Sequence, residues 1–383
     1  MKRILVISFS DLNHDARVSR QVDFIKDNYQ VTVAAYGGQE NKGYELIPIT
    51  KTKFTFAHKL FSSFFLLTRW HGKAYSLLYQ LSSIEEALRQ KTFDLIIAND
   101  VESLPFAFSL KTNAKIIFDA HEYAPRHFED RLTWRIFFQP FNIHLCKKYI
   151  PQVDAMITVG KGLANEYEKN FGVRPTIITN ATWHSDVTPS KIVDRKIRLI
   201  HHGGSTPSRK LELMIEMMAY LDDRFTLDLM LIVPQLASAK TSNYINTLKQ
   251  LAANDDRIRF LSPLRSNELV SFLNQYDIGV FLLPPVNFNY ANTLPNKLFD
   301  FIQARLAIAI GPTPEMAEIV NHYDIGVVAE NFTAKALADK LSTLTTEKLN
   351  GFKLNAEKAA IELTAEGNKE KLEEIIGSLL GAY

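Results

Sequence analysis

The sequence holds a single cysteine, Cys146, in 383 residues. One thiol closes no disulfide within the chain and supplies no cysteine cluster for zinc, so it reads as a buried apolar thiol in a reducing compartment. An excess of charge of one sign is also missing: 44 Lys plus Arg stand against 42 Asp plus Glu, a net of +2. Counterion-release binding needs a basic excess, so no nucleic acid partner is expected. No apolar run reaches the roughly 18 residues of a spanning helix. The first ten residues carry two basic side chains and a short apolar run, but Asp11 interrupts it and no small-residue cleavage site follows, the pattern of a first strand rather than a secretory signal. These absences point to a cytoplasmic globular protein.

What is present is alternation. Short β-branched apolar runs recur at 3–8, 30–36, 94–98, 115–119 and 155–159, then at 198–202, 226–233, 257–261, 278–283 and 307–310, separated by amphipathic stretches. This predicts an α/β fold of parallel sheets covered by helices. The series breaks once, where 180–196 loses all periodicity, and the length fits two domains. The expected division is a first Rossmann-like domain over 1–182, a linker over 183–196, a second Rossmann-like domain over 197–365, and a C-terminal helix over 366–383 packing back toward the first. Two facing doubly wound domains would turn the carboxyl ends of their strands, where such sheets bind ligands, toward one interdomain cleft.

The segment 46–84 contains Lys51, Lys53, Lys59, Arg69 and Lys73 and no acidic residue, interleaved with Phe54, Phe56, Phe61, Phe64, Phe65 and Trp70. Two readings stay open: an interfacial surface for an anionic membrane, or a long amphipathic helix or loop over the first sheet, its lysines snorkelling.

The most informative stretch runs from Pro284 through Asn289, Asn292, Thr293, Leu294, Pro295, Asn296, Lys297 and Asp300, between a buried strand and a helix. Pro295 in the first helical turn would leave backbone N–H groups near Thr293 to Asn296 at a positive dipole end, a candidate anion site. Asn296, Asp300 and Gln303 fall on one helix face, where a carboxylate one turn on can accept both hydroxyls of a ribose. A solvated helix face accounts for the same stripe.

Leu294-Pro295-Asn296-Lys297-Leu298-Phe299-Asp300, with Gly311-Pro312-Thr313-Pro314-Glu315 beyond it, resembles the donor-site segment of the large fourth family of retaining GT-B glycosyltransferases. The family's two glutamates, separated by seven residues, map to Asn292 and Asp300. Asp15-Ala16-Arg17-Val18 is similar to its first loop and helix, Asp119-Ala120-His121-Glu122 to its Asp-x-His-Glu signature, and Ile178-Thr179-Asn180-Ala181 to the end of its first domain. Gly203-Gly204-Ser205-Thr206-Pro207-Ser208-Arg209-Lys210 resembles its phosphate loop, with Ser205 where an Arg is usual and Arg209 in the second cationic position.

The resemblance implies the GT-B architecture and a retaining hexosyltransferase-type enzyme. Its expected donor is a nucleotide-sugar, a UDP-sugar before a GDP-sugar, and its acceptor a growing surface glycan, lipid-linked if 46–84 lies on the inner face of the cytoplasmic membrane. His121, Arg209 and Lys297 are the expected catalytic residues. Gly204, Ser205, Arg209, Lys210, Asn292, Thr293, Leu294, Pro295, Asn296 and Asp300 are expected around the donor, and Asp11, Asp15, Arg17 and Glu122 on the acceptor side. Physical chemistry supports the cations: cleaving a sugar from a nucleoside diphosphate develops charge on the pyrophosphate, which Arg209, Lys210 and Lys297 could stabilise without a metal. Asp119 and Glu122 lack a recognisable third ligand, so no metal is expected, and no cofactor beyond the nucleotide-sugar co-substrate. Asp15 reads equally well as an N-cap. Only one of His201 and His202 can face a ligand, because adjacent strand residues point to opposite faces. A non-catalytic nucleotide-sugar-binding subunit and a GT-B epimerase or hydrolase are the alternatives. A nicotinamide dehydrogenase is set aside, since Ser8-Phe9-Ser10-Asp11 stands where a G-x-G-x-x-G would.

Overall fold

The computed structural model describes residues 1–39, 42–51, 54–111, 113–192, 196–232 and 239–381. It divides into two compact units, one of residues 1–179, 287–289 and 368–383, the other of 180–286 and 290–367.

The first unit is built on a seven-stranded parallel sheet. Its strands are β1 (Arg3–Ile7), β2 (Gln30–Ala35), β3 (Glu45–Pro48), β4 (Leu95–Asn99), β5 (Lys115–Ala120), β6 (Ala155–Thr158) and β7 (Thr176–Ile177), in the order β3-β2-β1-β4-β5-β6-β7. The second unit has six parallel strands, β8 (Ile197–Gly204), β9 (Phe225–Ile232), β10 (Ile258–Leu261), β11 (Ile278–Phe281), β12 (Ala307–Ile310) and β13 (Gly326–Val328), in the order β10-β9-β8-β11-β12-β13. Both orders reverse beside the first strand, the doubly wound arrangement that opens a ligand crevice between β1 and β4 or between β8 and β11.

The central strands are continuous apolar runs because helices cover both faces: Ile4 to Ile7, Leu95 to Ala98 and Ala307 to Ile310 are at most 1% exposed. The strands missing from the sequence expectation are β3, β7 and β13, all at sheet edges. Each is short and half-exposed, so its periodicity is weak. In β13 the side chain is absent for a steric reason: a Cβ on Gly326 would lie 1.9 Å from the Ile308 carbonyl oxygen.

The expected linker 183–196 is not free-standing over its described part. The Ser185 amide donates to Gln303 Oε1, the Ser190 hydroxyl to the Asn274 carbonyl, and Ala181 is buried in the second unit's core. Residues 193–195 lie outside the described residues, as do Lys53, Val233 and the chain's last two positions. The C-terminal helix Ala365–Leu380 buries Leu372 and Ile376, and Glu373 accepts a hydrogen bond from Asn28 of the first unit.

Residues 46–84 do not form one long helix. Three helices follow β3, at Phe56–Leu67, His71–Tyr79 and Ser82–Arg89. The last buries Ile84 and Leu88, whereas the first buries only Ser62 and Leu66 and leaves Phe56, Leu60, Phe61, Phe64 and Leu67 exposed. Arg69 ties it to a neighbour: its guanidinium donates to the carbonyls of Leu66 and Ile136. That neighbour, Leu132–Phe137, exposes Leu132 and Ile136 as well. Cys146 is buried, and burial pushes its thiol up.

Candidate active site

In the second unit, β8 ends in His201-His202-Gly203-Gly204 beside the carboxyl end of β11. His201 is fully buried and its Nδ1 lies 2.9 Å from the Val280 carbonyl. That contact makes Nδ1 the donor and Nε2 an acceptor, which receives a hydrogen bond from Lys297 Nζ at 3.2 Å. Lys297 is 4% exposed, and its ammonium also sits 3.9 Å over the centroid of the Phe281 ring. It enters from the first turn of the helix Asn296–Gln303, whose cap residue Pro295 offers no side-chain hydrogen bond to that turn. Pro295 therefore precedes the helix instead of opening it.

Arg209 approaches the same point from the short turn Pro207–Arg209. The convergence depends on Gly203, whose φ of 122° suits glycine. A Cβ there would lie 3.2 Å from Lys297 Nζ and 3.8 Å from an Arg209 Nη. Burial, and then the charge of Arg209, hold Lys297 well below the ordinary lysine range, with Asp300 opposing them. Among the described residues no carboxylate lies in ion-pair contact with Lys297 or Arg209. Two cations at one glycine with no anion between them form a site that lacks an anion's charge.

Asp300 lies one turn along the helix, its side chain 13% exposed and 3.5 Å from His202 Nε2. Burial, and then Lys297 and Arg209, push His202 down to about 3, so it is neutral, and its Nε2 has no hydrogen-bond partner among the described residues. Gln303, expected on the same ligand face, is instead fully buried: its amide donates to the Ala360 carbonyl and its oxygen accepts from Ser185.

The remaining donor-side residues sort by their contacts. Ser205 is 1% exposed and its hydroxyl donates to the Ile232 carbonyl, so it fastens β8 to β9. Gly204 backs the Arg209 guanidinium at ordinary contact distance. Lys210 is exposed and 3.7 Å from Glu212, pointing to solvent and not to Gly203. Leu294 is buried, and its carbonyl accepts from Asn180. Asn292, Thr293 and Asn296 are half-buried around the start of the Lys297 helix. Tyr290 and Ser208, which the sequence reading did not single out, join hydroxyl to hydroxyl at 3.0 Å across this segment and the phosphate loop.

In the first unit, His121 follows β5 at the carboxyl edge of the sheet. Its Nε2 lies 3.1 Å from Asn99 Oδ1. Asn99 uses its amide nitrogen on the Ile7 carbonyl and on Gln21 Oε1, so its oxygen is left to accept. His121 Nδ1 lies 3.4 Å from Asp100 Oδ2, and the His121 amide donates to Asp100 Oδ1 at 3.3 Å. Burial alone would discharge the ring, but Asp100 and then Asp119 raise it to about 9. Asp100 itself is pushed up by desolvation and pulled down by His121, although about half its side chain reaches solvent.

Asp119 is held down, against burial, by a two-pronged pair with Arg17 at 2.6 and 3.2 Å. Arg17 also donates to the Ile178 carbonyl, so it is fastened into the fold and does not project to an acceptor. Asp15 is the N-cap of the helix Ala16–Ile25, accepting from the amides of Arg17 and Val18. Asp11 accepts from Asn13 and His14 within its own loop. Glu122 pairs with His127 at 2.7 Å and accepts from Asn289, whose oxygen takes the Tyr123 amide. Asn289 lay in the stretch singled out in the sequence but without this role, and Asp100 was not singled out; a polar residue next to an apolar strand end was the available signal for Asp100. Among the described residues no cluster of three or more His, Cys, Asp or Glu could hold a metal, and no helix is long and apolar enough to cross a membrane.

Known proteins share this fold. Residues 23–182 match the family model for Glycosyltransferase Family 4. No curated protein matches the sequence. Among solved structures, the sucrose-phosphate synthase of Thermosynechococcus elongatus aligns at TM-score 0.73 with 13% identity over all of both chains. Anabaena HepE, in complex with UDP and glucose, aligns at 0.72 with 14% identity over 99% of this chain and all of its own. WaaG, a glycosyltransferase involved in lipopolysaccharide biosynthesis, aligns at 0.63 with 14% identity over 97% of this chain and 99% of its own. The family 4 match covers residues 23–182, and the chain as a whole has the GT-B fold.

Proposed function

We propose that the chain is a retaining glycosyltransferase that moves a sugar from a nucleotide-sugar to a growing surface glycan without a metal. The observation that carries this reading is the meeting of Lys297 and Arg209 at Gly203 with no carboxylate between them. A diphosphate supplies the absent charge. As the bond from the sugar to the phosphate breaks, negative charge grows on the leaving oxygen, and cations already in place stabilise it without reorganising. The new bond forms to an acceptor hydroxyl, whose proton passes to the leaving phosphate. Asp300 accepts from the ribose hydroxyls, and His121 donates to the transferred sugar. UDP is favoured as the nucleotide because a similar fold, HepE, is found with UDP and glucose.

The acceptor in this reading is lipid-linked and the protein works at the inner face of the cytoplasmic membrane. The support is the exposed apolar face of Phe56, Phe61, Phe64 and Leu67, continued by Leu132 and Ile136 and bordered by Lys59, Arg69, Arg131 and Arg135. Rings of this kind enter the acyl boundary while the cations meet anionic headgroups.

A non-catalytic nucleotide-sugar-binding subunit is the second reading, favoured by Ser205 and Asn292 in positions where the family carries Arg and Glu. An epimerase or hydrolase would use the donor alone. Product analysis separates the three: UDP-glucose with acceptor glycolipids should give an α-linked product. Free glucose or an epimer without acceptor would indicate the third reading, and nucleotide binding without any turnover the second.

A further inference from the structure

Asp100 stands at φ 60° and ψ 157°. That region is populated almost only by glycine, because a Cβ crowds the backbone there, and it persists where the surroundings over-determine it. The surroundings here are β4, which ends at Asn99, and the turn Val101–Ser103, where the Ser103 amide and hydroxyl both donate to the Asp100 carbonyl. The Asp100 amide donates to the Asp119 carbonyl on β5. The result is a carboxylate beneath His121, one oxygen on its amide and the other beside its ring.

We propose that Asp100 is a positioning residue for His121. Its carboxylate, brought there by a backbone conformation that ordinarily belongs to glycine, faces Nδ1 and keeps the imidazole doubly protonated. The geometry of the ring supports this, since both nitrogens face oxygen acceptors: Nε2 is committed to Asn99 Oδ1 at 3.1 Å, and Nδ1 has only the looser contact with Asp100 at 3.4 Å. A neutral imidazole would have to present a lone pair to one of them. With a proton on each nitrogen, the ring stands as a fixed imidazolium at the carboxyl edge of the sheet. The other charged groups around this pair are Asp119 on β5, Arg17 on the helix Ala16–Ile25, and Glu122, His127 and Glu102 in the adjoining loops. Asp119, 3.7 Å from Nε2, favours the cation and Arg17 disfavours it; the pairing of Arg17 with Asp119 at 2.6 Å offsets part of Asp119's charge, and Asp100 is the largest single charge acting on the ring.

This inference rests on the proposed glycosyl transfer only for its consequence in catalysis. The test uses the full-length protein as wild type, Asp100→Asn and Asp100→Gly, with His121→Gln to assign the His121 resonance. Proton NMR of the imidazole should show its titration falling clearly from about 9 in both Asp100 variants, stopping short of a full loss of the shift because Asp119 remains. At pH 9.5, where the raised His121 no longer adds stability, melting temperature should be unchanged in Asp100→Asn and unchanged or higher in Asp100→Gly, because glycine adopts this backbone region freely; near pH 7 both variants should melt lower, since the raised titration is itself stabilising there. With UDP-glucose as probe, kcat should fall with KM nearly constant, and the alkaline limit of activity should move down with the His121 titration. Unchanged His121 titration in both variants overturns the inference, whatever the activity. So does a collapse of melting temperature in both at pH 9.5, since Asp100 would then serve the fold. Shifted titration in a protein that turns over no nucleotide-sugar supports Asp100 and counts against the proposed function instead.

Discussion

Replacing Lys297 by methionine isolates the charge at the centre of the donor site. Lys297 Nζ and an Arg209 Nη both lie within 4 Å of one point at Gly203. Two unit charges so placed are within about 7 Å of each other, a repulsion of about 2 kcal/mol at an effective dielectric constant near 20. Methionine matches the aliphatic stem and removes both this repulsion and the desolvation of a 4% exposed amine. Against that, His201 Nε2 loses its donor, a cost of about 1–3 kcal/mol for a buried acceptor. The two sides nearly cancel, so Lys297→Met should change stability by no more than about 2 kcal/mol, roughly 4–8 °C in melting temperature for a unit of this size. The linkage has a definite sign. Lys297 is held below its unfolded value, so the unfolded chain binds more protons and the wild type gains stability as pH rises toward 10; the variant should lack that rise. UDP at 100 times its dissociation constant should stabilise the wild type by about 2.7 kcal/mol and leave the variant unmoved. Thermal denaturation with and without UDP reads both effects. A loss of 3–5 kcal/mol in the variant, as when one partner of a buried ion pair is removed, or a full UDP shift retained in it, would refute the reasoning.

Asp300→Ala should weaken UDP binding by about 10- to 100-fold, the size of a lost charge-assisted hydrogen bond, with the fold intact by circular dichroism; equal calorimetric affinity would place the nucleoside elsewhere. His121 is raised in the folded protein, so its contribution to stability is complete below about pH 6.5 and lost as pH rises through about 9, up to about 3 kcal/mol. Urea unfolding should therefore separate wild type from His121→Gln most at pH 6 and least above pH 9. Phe61→Ser with Phe64→Ser should abolish cosedimentation with vesicles containing phosphatidylglycerol at low salt. Undiminished binding would remove the exposed face of Phe56–Leu67 from the account.

The sequence was most readable where burial is complete on both sides. Runs such as 3–8 and 307–310 announce central parallel strands because nothing polar is admitted there, whereas β3, β7 and β13 cover only an edge. Motif spacing brought out Gly203, Arg209, Lys297 and Asp300, but not their roles in packing. A lysine in a helical stretch looks the same whether its ammonium reaches solvent or lies on His201 and Phe281, because the difference is made by residues outside the helix, one of them nearly 100 positions away. Gln303 shows the reverse: helical spacing put it beside Asp300, yet Ala360 and Ser185 engage it. Arg17 likewise looked available until Asp119, 102 residues on, was seen to hold it. Asp100 was hidden because a strained φ has no signature in a side chain that is not glycine.

The central claim is that the Gly203 site binds a nucleoside diphosphate. The most direct measurement is thermal denaturation of wild type and Arg209→Ala against UDP, GDP, dTDP, CMP and ADP. UDP should raise the melting temperature of the wild type selectively and leave Arg209→Ala unmoved. No rise with any of the five, or the same rise in Arg209→Ala, would contradict it.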